Sequence, residues 1–183
     1  ITGGAEILVS PQSNIQSVKC RPDVNARTFH LDVALRNARA AQLEVSVINP
    51  ETQMAYSQQV TVENNHALIS VELGSDARLW WDDDPFLYSL TVTLKQDDKV
   101  IHQLEKRIGL REIATRGKQI LLNGNPVFLR GYVDCSIFPL TGYPNWDVEH
   151  YRHQFRVARS YGFNHVRLHS WTAPEPFWQA ADE

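Results

Sequence analysis

Five side chains in the last third of this 183-residue sequence have the types and placement to line a binding pocket: Arg130, Asp134, Arg167, His169 and Trp171. Each sits at or just past the end of a strand-like run. The C-terminal ends of parallel strands are where such folds gather their chemistry. Plainer readings stand next to these: an ion pair for Arg167, a satisfied core or loop histidine for His169, packing for Trp171, and a loop turn for Asp134. The carboxylates available for paired acid–base work in this region are Asp134, Asp147, Glu149, Glu175, Asp182 and Glu183. Asp147 and Glu149 belong to a helix start, and Asp182 and Glu183 to a second helix. Only Asp134 and Glu175 fall near the C-terminal end of a strand.

The elements that must position these residues lie between 118 and 183. KQILLNGNPVFLRG (118–131) reads as a hairpin, with 119–122 and 126–129 extended around an Asn123-Gly124 type I′ turn. NWDVEHYRHQFRVARSYGFN (145–164) reads as a helix. Val148, Tyr151, Phe155 and Ala158 recur at steps of three and four and form one apolar face. Asp147 or Asn145 caps its start, and Gly162 follows as a C′ glycine. HVRLHS (165–170) reads as a strand. Pro174-Glu175-Pro176 opens a second helix, proline being tolerated in a first turn. A strand, a helix and a strand over this length form a βαβ unit, which implies a parallel sheet.

Upstream the period is two. Phe29, Leu31, Val33 and Leu35 alternate with His30, Asp32 and Arg36, and Leu43, Val45 and Val47 alternate with Glu44 and Ser46. Further runs follow at 54–62, 67–73, 86–94 and 99–110. Residues 14–20 form another, with Ile15 and Val18 inward and a turn at Arg21-Pro22-Asp23. About seven short strands with turn signals argue an immunoglobulin-like β-sandwich. Its core is expected from Phe29, Leu31, Val33, Leu43, Val45, Val47, Leu90, Val92 and Leu94. Tyr88 reads either as a tyrosine whose hydroxyl ties back to the chain or as a plain core aromatic. Trp80 and Trp81, ahead of Asp82-Asp83-Asp84, read as a core cap and a solvated turn rather than a metal loop. Residues 109–117 read as a link, and residues 1–10 as a strand or the tail of a preceding domain.

Composition excludes several classes. A net charge of -3 with 21% charged residues shows no basic excess for nucleic acid. No apolar run approaches the roughly 20 residues that span a bilayer. The start lacks the n-region and h-region of a signal peptide. Position 1 is not Met, and Met54 is the only methionine, which reads as a piece of a longer chain. Cys20 and Cys135 read as two unpaired thiols.

LWWDDDPFLYSLTVTL (79–94), GLREI (109–113), ILLNGNPVFLRG (120–131), YGFNHVRLHS (161–170) and the terminal AADE (180–183), in this order and spacing, resemble glycoside hydrolase family 2. That is the β-galactosidase, β-glucuronidase and β-mannosidase group. The resemblance implies that residues 1–13 are the tail of a jelly-roll domain or a linker. It implies an immunoglobulin-like sandwich at 14–112 and the incomplete opening of a (β/α)8 barrel at 113–183, with strand one near 128–133 and strand two at 165–168. The fold class is therefore mainly β, a sandwich followed by a truncated barrel beginning.

The resemblance also implies a retaining hydrolase of O-glycosidic bonds, with a carbohydrate substrate, no cofactor and no metal. Such a mechanism needs two carboxyl groups about 5–5.5 Å apart. The family carries its two catalytic glutamates on strands four and seven, beyond strand two, so this piece is expected to be inactive alone. Arg167 matches the strand-two arginine that helps hold the nucleophile. The sequence departs from the galactosidase-like members at the third and fifth positions after Arg130, which are Val133 and Cys135 instead of Asn and His. It departs again at His169, which follows Arg167 by only two. A non-catalytic carbohydrate-binding or structural sandwich is the alternative reading. An incomplete barrel exposes apolar surface and strand edges, so either self-association or docking of residues 128–183 onto the sandwich is expected.

Overall fold

The computed structural model describes residues 7–38 and 40–183. It divides into two units, one of Leu8–Arg116 with Leu121–Asn125, the other containing Gly117–Ile120 and Pro126–Glu183. The strand expected within residues 1–10 falls partly outside the described residues. Ile7, Leu8 and Val9 lie outside any strand and are exposed.

In the first unit the period-two runs become strands: β1 (Asn14–Asp23), β2 (Thr28–Arg36), β3 (Ala41–Ile48), β4 (Ala55–Val62), β5 (His66–Glu72), β6 (Tyr88–Gln96) and β7 (Lys99–Ile108). They form a three-stranded sheet, β1-β2-β5, and a four-stranded sheet, β4-β3-β6-β7, with antiparallel pairing throughout. Alternation sends every second side chain inward. The inward sets of β2, β3 and β6 join one core, and all nine core residues named from the sequence are at most 1% exposed. Each such burial contributes about 1.5–3 kcal/mol. A two-residue turn at Asp97-Asp98, both at positive φ, joins β6 to β7.

Tyr88 is fully buried between Phe29 and Phe86, edge to face with both. Its hydroxyl accepts the Arg78 N–H at 2.8 Å and donates to the Arg78 carbonyl at 3.2 Å. The hydroxyl therefore does tie back to the chain. The same Arg78 guanidinium bonds Asp84 and Glu51 and lies over the Phe86 ring. Asp84 thus serves a turn, in line with the reading of the aspartates. Trp80 packs against Gly109 and under the Arg111 guanidinium, whose centre is 4.4 Å from the ring centroid.

Two sequence expectations need correction. Arg21-Pro22-Asp23 is not a turn: β1 continues through it, with Pro22 opposite Phe29, and the turn comes at residues 24–27. β1 is an edge strand paired only to β2, where a missing N–H leaves no ladder bond unmade. Residues 109–117 are not merely a link: they contain β8 (Ile113–Arg116), which pairs with β9 (Gln119–Leu122), itself paired with β10 (Asn125–Val127). The β9–β10 turn is type I′, with Asn123 and Gly124 both at positive φ. Asn123 does more than turn the chain. Its Oδ1 accepts the Glu112 N–H at 2.8 Å, and its Nδ2 donates to the Trp80 carbonyl at 2.9 Å. Asn123→Ala removes both bonds and places a poorer residue in the left-handed region. The expected loss is about 1–3 kcal/mol, read as a lower denaturation midpoint with unchanged slope.

Both cysteines are free, Cys20 half-buried and Cys135 exposed. Burial pushes the Cys20 thiol up to about 11, against the opposing pull of Lys106. The thiolate is the reactive form. At pH 8 an alkylating reagent should therefore modify Cys135 and spare Cys20 in the native protein, as peptide mass mapping would show. Equal rates at the two sites would contradict this.

Candidate functional site

In the second unit β11 (Gly131–Asp134) and β12 (His165–Leu168) form a parallel pair, joined through α1 (Val148–Ser160). Strand one thus begins later than 128. The sequence specifies the helix at both ends. Asn145 Oδ1 accepts the Asp147 N–H, and Asp147, as N-cap, accepts the Glu149 N–H, so both proposed capping residues take part. At the other end Gly162 sits at φ 82, with its N–H on the Arg159 carbonyl and the Phe163 N–H on the Ala158 carbonyl. That is the double hydrogen bond of a Schellman cap. Tyr151 is buried, with Val148 and Phe155 packed beside it, so the apolar face read from the spacing is the packed one. It meets Phe177 and Ala180 of α2 (Glu175–Asp182), together with Val166, Leu168 and Trp171.

Register decides which strand residues share a face. Val133 lies opposite Arg167, and Asp134 opposite Leu168. Val166 and Leu168 pack into the helical cluster. Tyr132 accepts a hydrogen bond from Gln154 of α1 at 3.1 Å. Burial raises the pKa of Tyr132 and of Tyr151, and the Asp134 carboxylate raises both further. Tyr132, Asp134, Val166 and Leu168 therefore face α1, while Gly131, Val133, His165 and Arg167 face away and are exposed.

The five candidate residues separate accordingly. Arg130 lies at the N-terminal end of β11, where its Nε donates to the Gly162 carbonyl at 2.7 Å and its N–H to Asn164 Oδ1. The strand's length sets it apart from the other four. Asp134 is at the C-terminal end, yet its side chain accepts the Ser136 N–H and serves the turn. Its backbone carbonyl is the hub: it accepts the His169 N–H at 2.8 Å and the Trp171 Nε1–H at 3.3 Å. Arg167 Nη1 lies 3.1 Å from His169 Nδ1. Trp171 stands edge to face against Phe138 at 5.6 Å. The structure thus brings together Arg167 with His169, and, through one carbonyl, His169 with Trp171.

Sequence reasoning passed over Phe138 and the two serines that turn the strand ends, Ser136 at φ 58 and Ser170 at φ 62. Gly131 was also missed: a Cβ there would meet His165 Cδ2 at 2.9 Å. No spacing rule marks a close approach between two strands before their register is known. Among the described residues no group of His, Cys, Asp or Glu side chains could hold a metal ion, and no helix is long and apolar enough to cross a membrane.

A parallel strand–helix–strand unit with a basic strand end, preceded by two antiparallel sheets over one core, agrees with the comparisons with known proteins. The chain belongs to the glycosyl hydrolases family 2, whose family model matches residues 13–111. A putative β-glucuronidase of Formosa agariphila is 28% identical over 180 residues, covering 94% of this chain and 22% of that protein. A β-galactosidase of Pseudoalteromonas haloplanktis is 23% identical over 192 residues, covering 97% of the chain and 18% of the relative. The fold matches a Ruminococcus gnavus β-glucuronidase structure with a TM-score of 0.78 at 20% identity, over 94% of this chain and 28% of that one. A family 2 member from Bacteroides cellulosilyticus also gives 0.78, at 23% identity. The chain therefore spans less than a third of the length of each of these proteins.

Proposed function

We propose that this chain is the immunoglobulin-like sandwich and the first two strands of the (β/α)8 barrel of a retaining glycoside hydrolase. The observation that carries the proposal is the parallel pair β11–β12, covered on one face by α1 and presenting Arg167 and His169 from the other, in a chain of this family. In a barrel of this kind the uncovered face is the inward one, and substrate meets the C-terminal strand ends. Arg167 holds the nucleophile carboxylate in its charged form, and Trp171, packed against Phe138 and Phe177 and bonded to the Asp134 carbonyl, buttresses the strand end that carries His169. Asp134 and Glu175 are not the catalytic pair, because Asp134 faces α1 and Glu175 opens α2. The acid/base and the nucleophile are glutamates outside residues 1–183. The substrate is an oligo- or polysaccharide, and the relatives' names place β-glucuronides and β-galactosides first among those to test.

The test is a panel of chromogenic α- and β-glycosides, offered to this chain and to the full-length protein. Turnover by the full-length protein alone is expected. Turnover by residues 1–183 that disappears in Asp134→Asn or Glu175→Gln would overturn the assignment. The second unit also exposes Phe128, Val133, Ile137 and Leu140, each more than half accessible. Taken alone, residues 1–183 should therefore self-associate, giving a mass above 20.9 kDa by light scattering.

A further inference from the structure

The Arg167–His169 contact specifies more than proximity. A guanidinium has only donors. At 3.1 Å from Arg167 Nη1, His169 Nδ1 has to be the acceptor. With Nδ1 accepting, the ring N–H is the one on Nε2. The backbone that carries the ring is also held. The His169 N–H donates to the Asp134 carbonyl, Ser170 turns the chain away at positive φ, and Trp171 returns to the same carbonyl. The face bearing Arg167 draws Gly131, Val133, His165 and Arg167 from β11 and β12, with no carboxylate among them. At its C-terminal end that face offers donors: the remaining guanidinium N–H groups and the His169 Nε2–H.

We propose that Arg167 locks His169 as a neutral Nε2–H donor, and that His169 in this tautomer is a specificity-determining residue donating to an acceptor oxygen of the bound sugar. The inference rests on the glycosidase reading above. The acceptor is a ring hydroxyl or a sugar carboxylate, and both chemistries meet the same donor. A site built to give one hydrogen bond discriminates strongly against a ligand that cannot receive it.

Two measurements decide it. Nitrogen-15 NMR of the histidine side chains in this chain at neutral pH should show His169 protonated on Nε2 alone. The Nδ1–H tautomer would overturn the proposal whatever the enzyme does. In the full-length protein, glutamine places its amide nitrogen near Nε2 of the histidine it replaces, and asparagine near Nδ1. Both variants lose the Arg167 lock, but His169→Asn should lose about 10- to 100-fold more kcat/KM than His169→Gln, with both melting temperatures unchanged. Equal behaviour of the two variants would overturn the proposal. A loss in His169→Asn confined to glycuronides assigns the acceptor to the carboxylate, and an equal loss on the matching neutral glycoside assigns it to a hydroxyl. If the full-length protein cleaves no glycoside, the glycosidase reading itself falls. If it cleaves them and the variants do not differ, only the inference falls.

Discussion

Tyr88→Ala should lower the stability of the sandwich unit by about 3–5 kcal/mol, the range for truncating a buried aromatic. Three losses combine. The cavity opens between Phe29 and Phe86, both of which meet the ring edge to face. The hydroxyl that satisfies the Arg78 N–H and carbonyl disappears. The segment carrying Arg78 then loses its tie, and with it the Glu51 and Asp84 contacts that fasten two turns. Tyr88→Phe separates these terms. It keeps the rings and removes only the hydroxyl, and should cost about 1–3 kcal/mol. Urea denaturation reads both variants. If Tyr88→Phe were as stable as the parent, the tie to Arg78 would contribute nothing.

Arg167→Ala should lower kcat of the full-length protein about 10²–10³-fold, the usual loss when one group aimed at reacting charge is removed. Its effect on folding should be small. Arg167 is exposed and its hydrogen bond goes to His169, so no buried group is left unsatisfied. The melting temperature should stay near that of the parent. A large fall in melting temperature with activity per folded molecule retained would make Arg167 a structural ion-pair residue instead.

Most of the first unit was legible because alternation is a local property. Leu43, Val45 and Val47 are inward for the same reason that Glu44 and Ser46 are not. The Asn123-Gly124 turn and the Tyr151 face of α1 were legible for similar reasons, since each needs only a few consecutive residues. Pro22 misled because proline signals a turn or an edge strand alike, and only pairing partners tell them apart. The candidate site was legible in its residue types but not in its grouping. Asp134 and Arg167 each end a strand, yet the register sets Arg167 beside Val133 and turns Asp134 toward α1. Arg130 was grouped with them because strand one was read as starting near 128. With β11 beginning at Gly131, Arg130 is left at the opposite end. The Asn123 bonds to Glu112 and Trp80, the latter 43 positions away, lie beyond any local pattern.

The most direct test of the account is to trap the glycosyl-enzyme. A 2-deoxy-2-fluoro glycoside that the full-length protein accepts should form a covalent ester on its nucleophile and stall there, because a retaining mechanism passes through such an intermediate. Peptide mapping then locates the label. The account predicts one labelled carboxylate, a glutamate outside residues 1–183, with none of the label on this chain. A label on Asp134 or Glu175, or turnover with inversion and no label, would contradict it.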